Sequence, residues 1–258
     1  MRIAVLLKEV PDTYGERKLD LQTGLADRGA TEAVPDEIGE RALEVALSHA
    51  DNHPGTEVTV VSMGPATAVS GLRKGLAMGA DNAVHISDEA LLGADLTLTA
   101  EALAAALRRG GFDLIIAGNL STDGNGGVIP AMIAELLGTA HLTSLESVSI
   151  DSSGIRGRRT SEAGVASVEA GLPAVISVTE AMPGARFPNF RGIMAAKKKP
   201  LETLGLTELG VHAEDESVGR SIVIAVAERP ARQAGVKITD EGDAAAQLVD
   251  FLVSNRLA

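Results

Sequence analysis

The stretch LIIAGNLSTDGNGGVIPAMIAELLG, residues 114–138, holds the residue types best suited to chemistry in this chain. An apolar run ends at Gly118, a loop carries Ser121, Thr122, Asp123, Gly124, Asn125, Gly126 and Gly127, and a helical pattern follows with Pro130 near its first turn. Glycines lack the Cβ atoms that keep an anion off the backbone, and a helix N-terminus offers N–H groups with no intrahelical acceptor. A phosphate would fit there, held without any bond being made or broken. The spacing is neither G-x-G-x-x-G nor G-x-x-x-x-G-K-S, so a plain strand-to-helix connection is the alternative reading. Helix starts at Asp36 and Pro65 would line the same rim, or serve only as caps.

Other catalytic constellations fail. His49, His53, His85, His141 and His212 lack metal-ligand spacing, and His49 and His85 read as packing or surface residues. No G-x-S-x-G, HExxH or EF-hand pattern occurs. Asp12, Asp36 and Asp123 are candidates to converge at strand ends, but loop carboxylates serve more commonly as caps and turn formers. These absences point to a scaffold that binds and positions a cofactor.

A second unusual stretch is RFPNFRGIMAAKKKP, residues 186–200, with Arg186, Arg191, Lys197, Lys198 and Lys199 and no acid. The whole chain carries −12, so the remainder carries −17 (−12 − 5). Phe187 and Phe190 are two of the chain's four phenylalanines. An aromatic ringed by cations has the composition of a protein-docking hot spot with charge steering; the alternative is a solvated turn whose lysines aid solubility.

The elements that would position these residues alternate. Ile3–Leu7, Val58–Met63, Ala83–Ile86, Leu114–Ala117 and Ala174–Val178 read as strands buried on both faces. Helices are predicted from Asp36, with Ile38, Ala42, Val45, Ala46 and His49 on one side; from Pro65 to a left-handed cap at Gly79; and from Asp95 to Arg109. Strands separated by helices pair in parallel through right-handed crossovers, giving a doubly wound α/β sheet. Ser147–Ile150 and the Gly-punctuated stretch after it predict a β-hairpin excursion. Beyond about residue 200 the pattern predicts an extended arm, with SIVIAVAERP (221–230) a possible strand and Asp243–Leu257 a terminal helix.

A chain of 258 residues with 45% hydrophobic content can bury one large core plus an appendage. With no Cys there is neither a disulfide framework nor thiolate-bound zinc. No apolar run approaches the ~20 residues that span a bilayer, so the expectation is a cytoplasmic chain without membrane insertion. The acidic balance disfavours nucleic acid.

Taken together, IAVLLKEVPDT (3–13), PDEIGERALEVAL (35–47), GLAMGADNAVHI (75–86), GNLSTDGNGGVIPAMIAELLG (118–138), LPAVISVTE (172–180) and RFPNFRGIMAAKKKPL (186–201) resemble the β subunit of electron transfer flavoprotein. AGVKITDEG, 234–242, is similar to that family's C-terminal region. The resemblance implies a mostly parallel, Rossmann-like sheet of the adenine nucleotide hydrolase type over residues 1–199, with a partner-recognition loop at about 183–199. Residues 200–258 would form an arm packing on an α subunit, with Leu248, Phe251 and Leu252 as its apolar face; the alternative for that face is packing on the chain's own domain. It also implies a structural AMP in this chain and FAD held mainly by the α subunit. Electrons would come from acyl-CoA or other flavin dehydrogenases and leave to a quinone reductase or similar acceptor.

Carried over by position, the AMP site comprises Leu6, Ala33, Val34, Pro35, Asp36, Met63, Gly118, Asp123, Gly124, Asn125, Gly126, Gly127 and Val128. Thr13, Tyr14 and Pro35 fall near the flavin edge, Tyr14 one residue from the usual aromatic position. Recognition would use Arg186, Phe187, Phe190, Arg191, Ile193, Met194, Lys197 and Lys198, with Phe190 at the family's anchor position. The sequence departs from the family at Gly126, where many relatives have Thr, and at Ala33-Val34, in place of Asn-Pro. It departs again at Thr160, where some relatives place a Glu facing the α subunit, so that ion pair is not expected. Two alternatives stay open: an electron-bifurcating relative with a second FAD in place of AMP and direct NADH oxidation, and a stand-alone adenine-nucleotide-binding protein of the stress type.

Overall fold

Strands that are apolar along their whole length must be covered on both faces, and helices between them do this. The computed structural model describes residues 1–215, 217–232, 235 and 237–257. In chain order it has β1 (Arg2–Leu6), a short antiparallel pair of β2 (Glu9–Pro11) and β3 (Ala33–Pro35), α1 (Glu37–Asn52) and β4 (Glu57–Met63). Next come α2 (Val69–Met78), β5 (Asn82–Ile86), α3 (Leu96–Gly110), β6 (Leu114–Gly118), α4 (Ile129–Leu137) and β7 (Ala140–Leu145). β8 (Ser147–Asp151), β9 (Gly154–Ser161), β10 (Gly164–Ala170), β11 (Ala174–Val178), α5 (Phe190–Ala196), β12 (Leu201–Leu204), α6 (Leu206–Leu209) and α7 (Ala244–Ser254) complete the series.

Seven strands form one sheet in the order β12-β5-β4-β1-β6-β11-β7, with every neighbouring pair parallel. This is the doubly wound, Rossmann-like sheet expected. Successive residues of a strand face opposite sides: Ile3 and Val5 pack with Leu43, Leu72 and Leu76 on one face, whereas Ala4 joins Val61, Leu103, Leu107 and Ile133 on the other. After β1 the chain winds outward through β4 and β5, then returns to the other side of β1 with β6. The carboxyl ends of β1 and β6 therefore flank the switch point, where open α/β sheets form their crevice.

The helix starts follow the sequence signals. Asp36 caps α1 by accepting from Ile38 N, and Asp95 caps α3 by accepting from Leu98 N. Gly79 ends α2 at φ 145°, a positive φ but outside the left-handed helical well expected there. The excursion after residue 146 is a three-stranded antiparallel sheet, β10-β9-β8. One compact unit runs from Met1 to Ile224 and a second from Ala225 to Ala258. Residues 201–209 thus belong with the sheet rather than to a separate arm: β12 pairs with β5, and Leu204 and Leu206 are buried. SIVIAVAERP forms no strand, and Ile222 and Ile224 are exposed. An extended apolar segment becomes a strand only where an edge lies alongside to pair with it. Ala234 and Val236 of the 234–242 motif lie outside the described residues. Among the described residues no helix is long and apolar enough to cross a membrane.

Candidate functional site

The glycine-rich loop lies at the switch point, at the end of β6. Its glycines do different jobs. At Gly118 a Cβ would sit 3.0 Å from Ile38 Cγ2, so this residue lets β6 approach α1. Asn125 and Gly127 turn the chain through the left-handed region, at φ 51° and 67°. Asn125 N donates to Ser121 O at 2.9 Å, and among the described residues the N–H groups of Gly126, Gly127 and Val128 have no acceptor within the protein. They are followed by α4, whose first residues have no side-chain cap. Successive free N–H groups at the positive end of a helix make an anion-binding concavity. Gly126 has room for a side chain, its nearest neighbour being Leu96 Cδ2 at 3.5 Å from an added Cβ. Asn119 Oδ1 is buried beside the loop with no partner, an acceptor suited to an amine such as that of adenine. The residues present fit an adenine nucleotide.

Asp36 and Asp123 are structural in their geometry. Asp36 is 3% exposed. One oxygen accepts from Ile38 N at 3.1 Å; the other accepts from Thr122 N at 2.7 Å and Thr122 Oγ1 at 2.9 Å. It joins the start of α1 to the loop. Asp123 pairs with Lys8 Nζ at 2.7 Å and Arg28 at 3.2 Å. Burial pushes its carboxyl upward, but the hydrogen bonds from Lys8 and Ser121 and the charges of Lys8 and Arg28 outweigh this and hold it at about 2. Lys8 also donates to Ser121 Oγ at 3.2 Å, and Arg17 donates to Thr122 O. Three cations from the N-terminal segment thus gather on the loop. Sequence reasoning missed all three, because their partners lie about a hundred residues away.

Leu6 and Met63 are half-buried at their strand ends, and Ala33, Val34 and Pro35 form β3, half-buried against β2. Asp12 makes a turn, accepting from Tyr14 N at 2.9 Å, and Tyr14 is 99% exposed with Thr13 exposed beside it. His85 is a core residue with Nε2 3.0 Å from Gly64 O. Thr160 Oγ1 donates to Glu146 at 2.8 Å.

The basic stretch contains a helix. Asn189 caps α5 by accepting from Gly192 N at 2.8 Å. Phe187 and Phe190 are 94% and 78% exposed, and Arg191, Ile193, Met194, Lys197 and Lys198 are exposed with them. Arg186 stands apart from this set. Its guanidinium bonds Glu44 of α1 at 2.8 and 2.9 Å and Asp51 at 2.8 Å, and its N–H donates to Glu44 at 2.9 Å. Burial opposes the Glu44 charge, but Arg186 holds that carboxyl below its usual value. Arg186 anchors the base of the segment to α1 rather than facing outward.

Fold and site together define a doubly wound α/β protein with an anion-competent cleft at its switch point and an exposed basic-aromatic helix. Residues 21–209 match the electron transfer flavoprotein domain. The chain is 48% identical over 263 aligned residues to the electron transfer flavoprotein subunit beta of Mycobacterium tuberculosis (strain ATCC 25618 / H37Rv), covering 99% of this chain and 98% of that protein. It is 35% identical to the caffeyl-CoA reductase-Etf complex subunit CarD of Acetobacterium woodii, over 93% of this chain and 92% of that one. With the electron transfer flavoprotein subunit beta of Megasphaera elsdenii it shares 31% identity, over 100% and 98%. The chain belongs to the electron transfer flavoprotein β-subunit family.

Proposed function

We propose that this chain is the β half of a cytoplasmic heterodimeric electron carrier. The cleft holds AMP through the N–H groups of Gly126, Gly127 and Val128, while FAD, held mainly by an α subunit, supplies the redox chemistry. Residues 225–258 pack on that subunit through Leu248, Phe251 and Leu252. Electrons arrive from acyl-CoA or other flavin dehydrogenases and leave to a quinone reductase or similar acceptor. The chain's own residues bind, orient and dock. Thr13, Tyr14 and Pro35 approach the flavin edge, and Phe190 is the docking anchor, with Arg191, Lys197 and Lys198 steering an acidic partner.

The observation that carries this reading is the exposure of Phe187, just ahead of α5, and of Phe190, the first residue of that helix. Two bare aromatics three residues apart in sequence cost solubility unless a partner covers them. Phe190→Asp is expected to leave assembly and flavin spectra intact and to slow reduction by the cognate dehydrogenase at least ~30-fold, the loss typical of a hot-spot side chain. Unchanged reduction kinetics would remove the docking assignment.

The cations on the loop favour a second reading within the family. Lys8, Arg17 and Arg28 against the carboxylates of Asp36 and Asp123 leave a net positive charge beside the N–H groups, which suits the pyrophosphate of a second FAD as well as a monophosphate. That reading adds direct NADH oxidation, seen as bleaching of the flavin by NADH.

A further inference from the structure

Resting on the docking role proposed for α5, the contacts behind that helix carry a further inference. α5 lies against α2, but the two are incompletely packed: an open groove of about 590 Å³ runs between them, lined by Arg73, Lys74, Ala77, Pro188, Ile193 and Lys197 among others. On its inner side α5 is held by Ala196, buried in the core against α2. Across the rest of the contact two cations hold it, in opposite directions. Arg73 of α2 donates to Ala196 O at 2.7 Å and Lys199 O at 3.0 Å, the terminal carbonyls of α5 and its following turn. Lys199 reaches back to the other helix and donates to Leu76 O at 3.1 Å, Gly79 O at 3.3 Å and Ala80 O at 2.5 Å, at the C-terminal end of α2. The unpaired carbonyls and the negative dipole end of α5 are thus met by a cation of α2, and those of α2 by a cation from the turn that follows α5. Gly192 completes the contact: a Cβ there would lie 2.2 Å from Ala77 O, so only glycine permits this approach.

We infer that Arg73 and Lys199 are positioning residues for partner docking, a reciprocal lock that holds α5 so that Phe190 is presented in one orientation before the partner arrives. Of the five cations in residues 186–200, Arg186 and Lys199 serve the inside of the protein, leaving Arg191, Lys197 and Lys198 to the surface. An anchor fixed in advance has less freedom to lose on association. Loosening the lock must weaken docking and leave electron transfer within the docked complex unchanged.

The test uses the heterodimer purified with its α subunit and a dehydrogenase partner. Arg73→Met is expected to raise the half-saturating carrier concentration about tenfold with kcat unchanged, as for loss of a charge-assisted hydrogen bond. Arg73→Lys restores part of the loss. Hydrogen exchange of residues 190–196 accelerates while β1 and β6 stay protected. In a Phe190→Ala background Arg73→Met adds less than about twofold, because both act through one anchor. Full additivity there, a change in kcat alone, or unchanged exchange in α5 would overturn the lock. A silent Phe190→Ala would instead overturn the docking role of α5, and the exchange measurement would still read the lock. Should Arg73→Met fail to assemble, Lys199→Met and Gly192→Ala must give the same phenotype. Failure of all three assigns these contacts to the core fold and overturns the proposal.

Discussion

Asp36→Ala is expected to damage the cleft more than the loss of an ordinary helix cap. The carboxylate is almost fully buried and accepts three bonds, one from the first turn of α1 and two from Thr122. Loss of the cap costs about 1 kcal/mol. Leaving Thr122 N and Oγ1 without their acceptor adds about 2 kcal/mol. The sum, about 3 kcal/mol, corresponds to a fall of about 1 M in the urea midpoint for a slope near 3 kcal/mol/M. Asp36→Asn keeps one acceptor oxygen, enough for either α1 or the loop, and should lose about half as much. The assay is urea unfolding of the purified heterodimer followed by tryptophan-independent far-UV dichroism, with retained nucleotide counted after gel filtration. The alanine variant should also shed nucleotide, because the segment carrying the free N–H groups is no longer held to α1. An Asp36→Ala protein within about 0.5 kcal/mol of the parent, the range of a neutral surface change, with its nucleotide intact, would refute the joining role.

Asp123 titrates well below its unfolded value. Its contribution is therefore fully present above about pH 4 and disappears as the pH falls toward 2. Because Lys8 and Arg28 are partly exposed, the contribution is about 1 kcal/mol. The stability difference between parent and Asp123→Asn should shrink between about pH 4 and pH 2, and a constant difference would contradict the pairing. In the loop, Gly126→Ala should be tolerated, since Gly126 is not among the positive-φ glycines and an added Cβ would make only an ordinary van der Waals contact with Leu96. Gly127→Ala should cost about 1–2 kcal/mol for the left-handed backbone, read as a shift in the thermal midpoint; equal effects would contradict the assigned turn.

Much of the fold was legible because its signals are local. Ala174–Val178 is a strand with the expected bounds, and Asp36 and Asp95 mark helix starts because a short acidic side chain followed by an apolar period is a local device. β12 was not legible, since LETL is short and half-polar and becomes a strand only through the edge of β5. SIVIAVAERP is the converse, strand-like in composition with no edge to join. In the loop the glycines, the start of α4 and the capping place of Asp36 were readable, but not the distant partners of the two aspartates. Asp123 meets Lys8 and Arg28 across 115 and 95 residues, and Asp36 meets Thr122 across 86. Arg186 shows the same limit: its charge was visible, but its partners on α1 lie 142 and 135 residues away. Charge composition reveals that a cation is present, whereas only topology reveals whether it is spent internally.

The most direct test of the central claim is to purify the chain with its α subunit, denature the complex, and identify and count the released nucleotides by chromatography and mass. The proposed carrier releases one FAD and one AMP per heterodimer, and Asp36→Ala releases FAD with little AMP. Two FAD would place a second flavin in the cleft of this chain and move it to the bifurcating class. Flavin-free protein carrying only an adenine nucleotide would contradict the account.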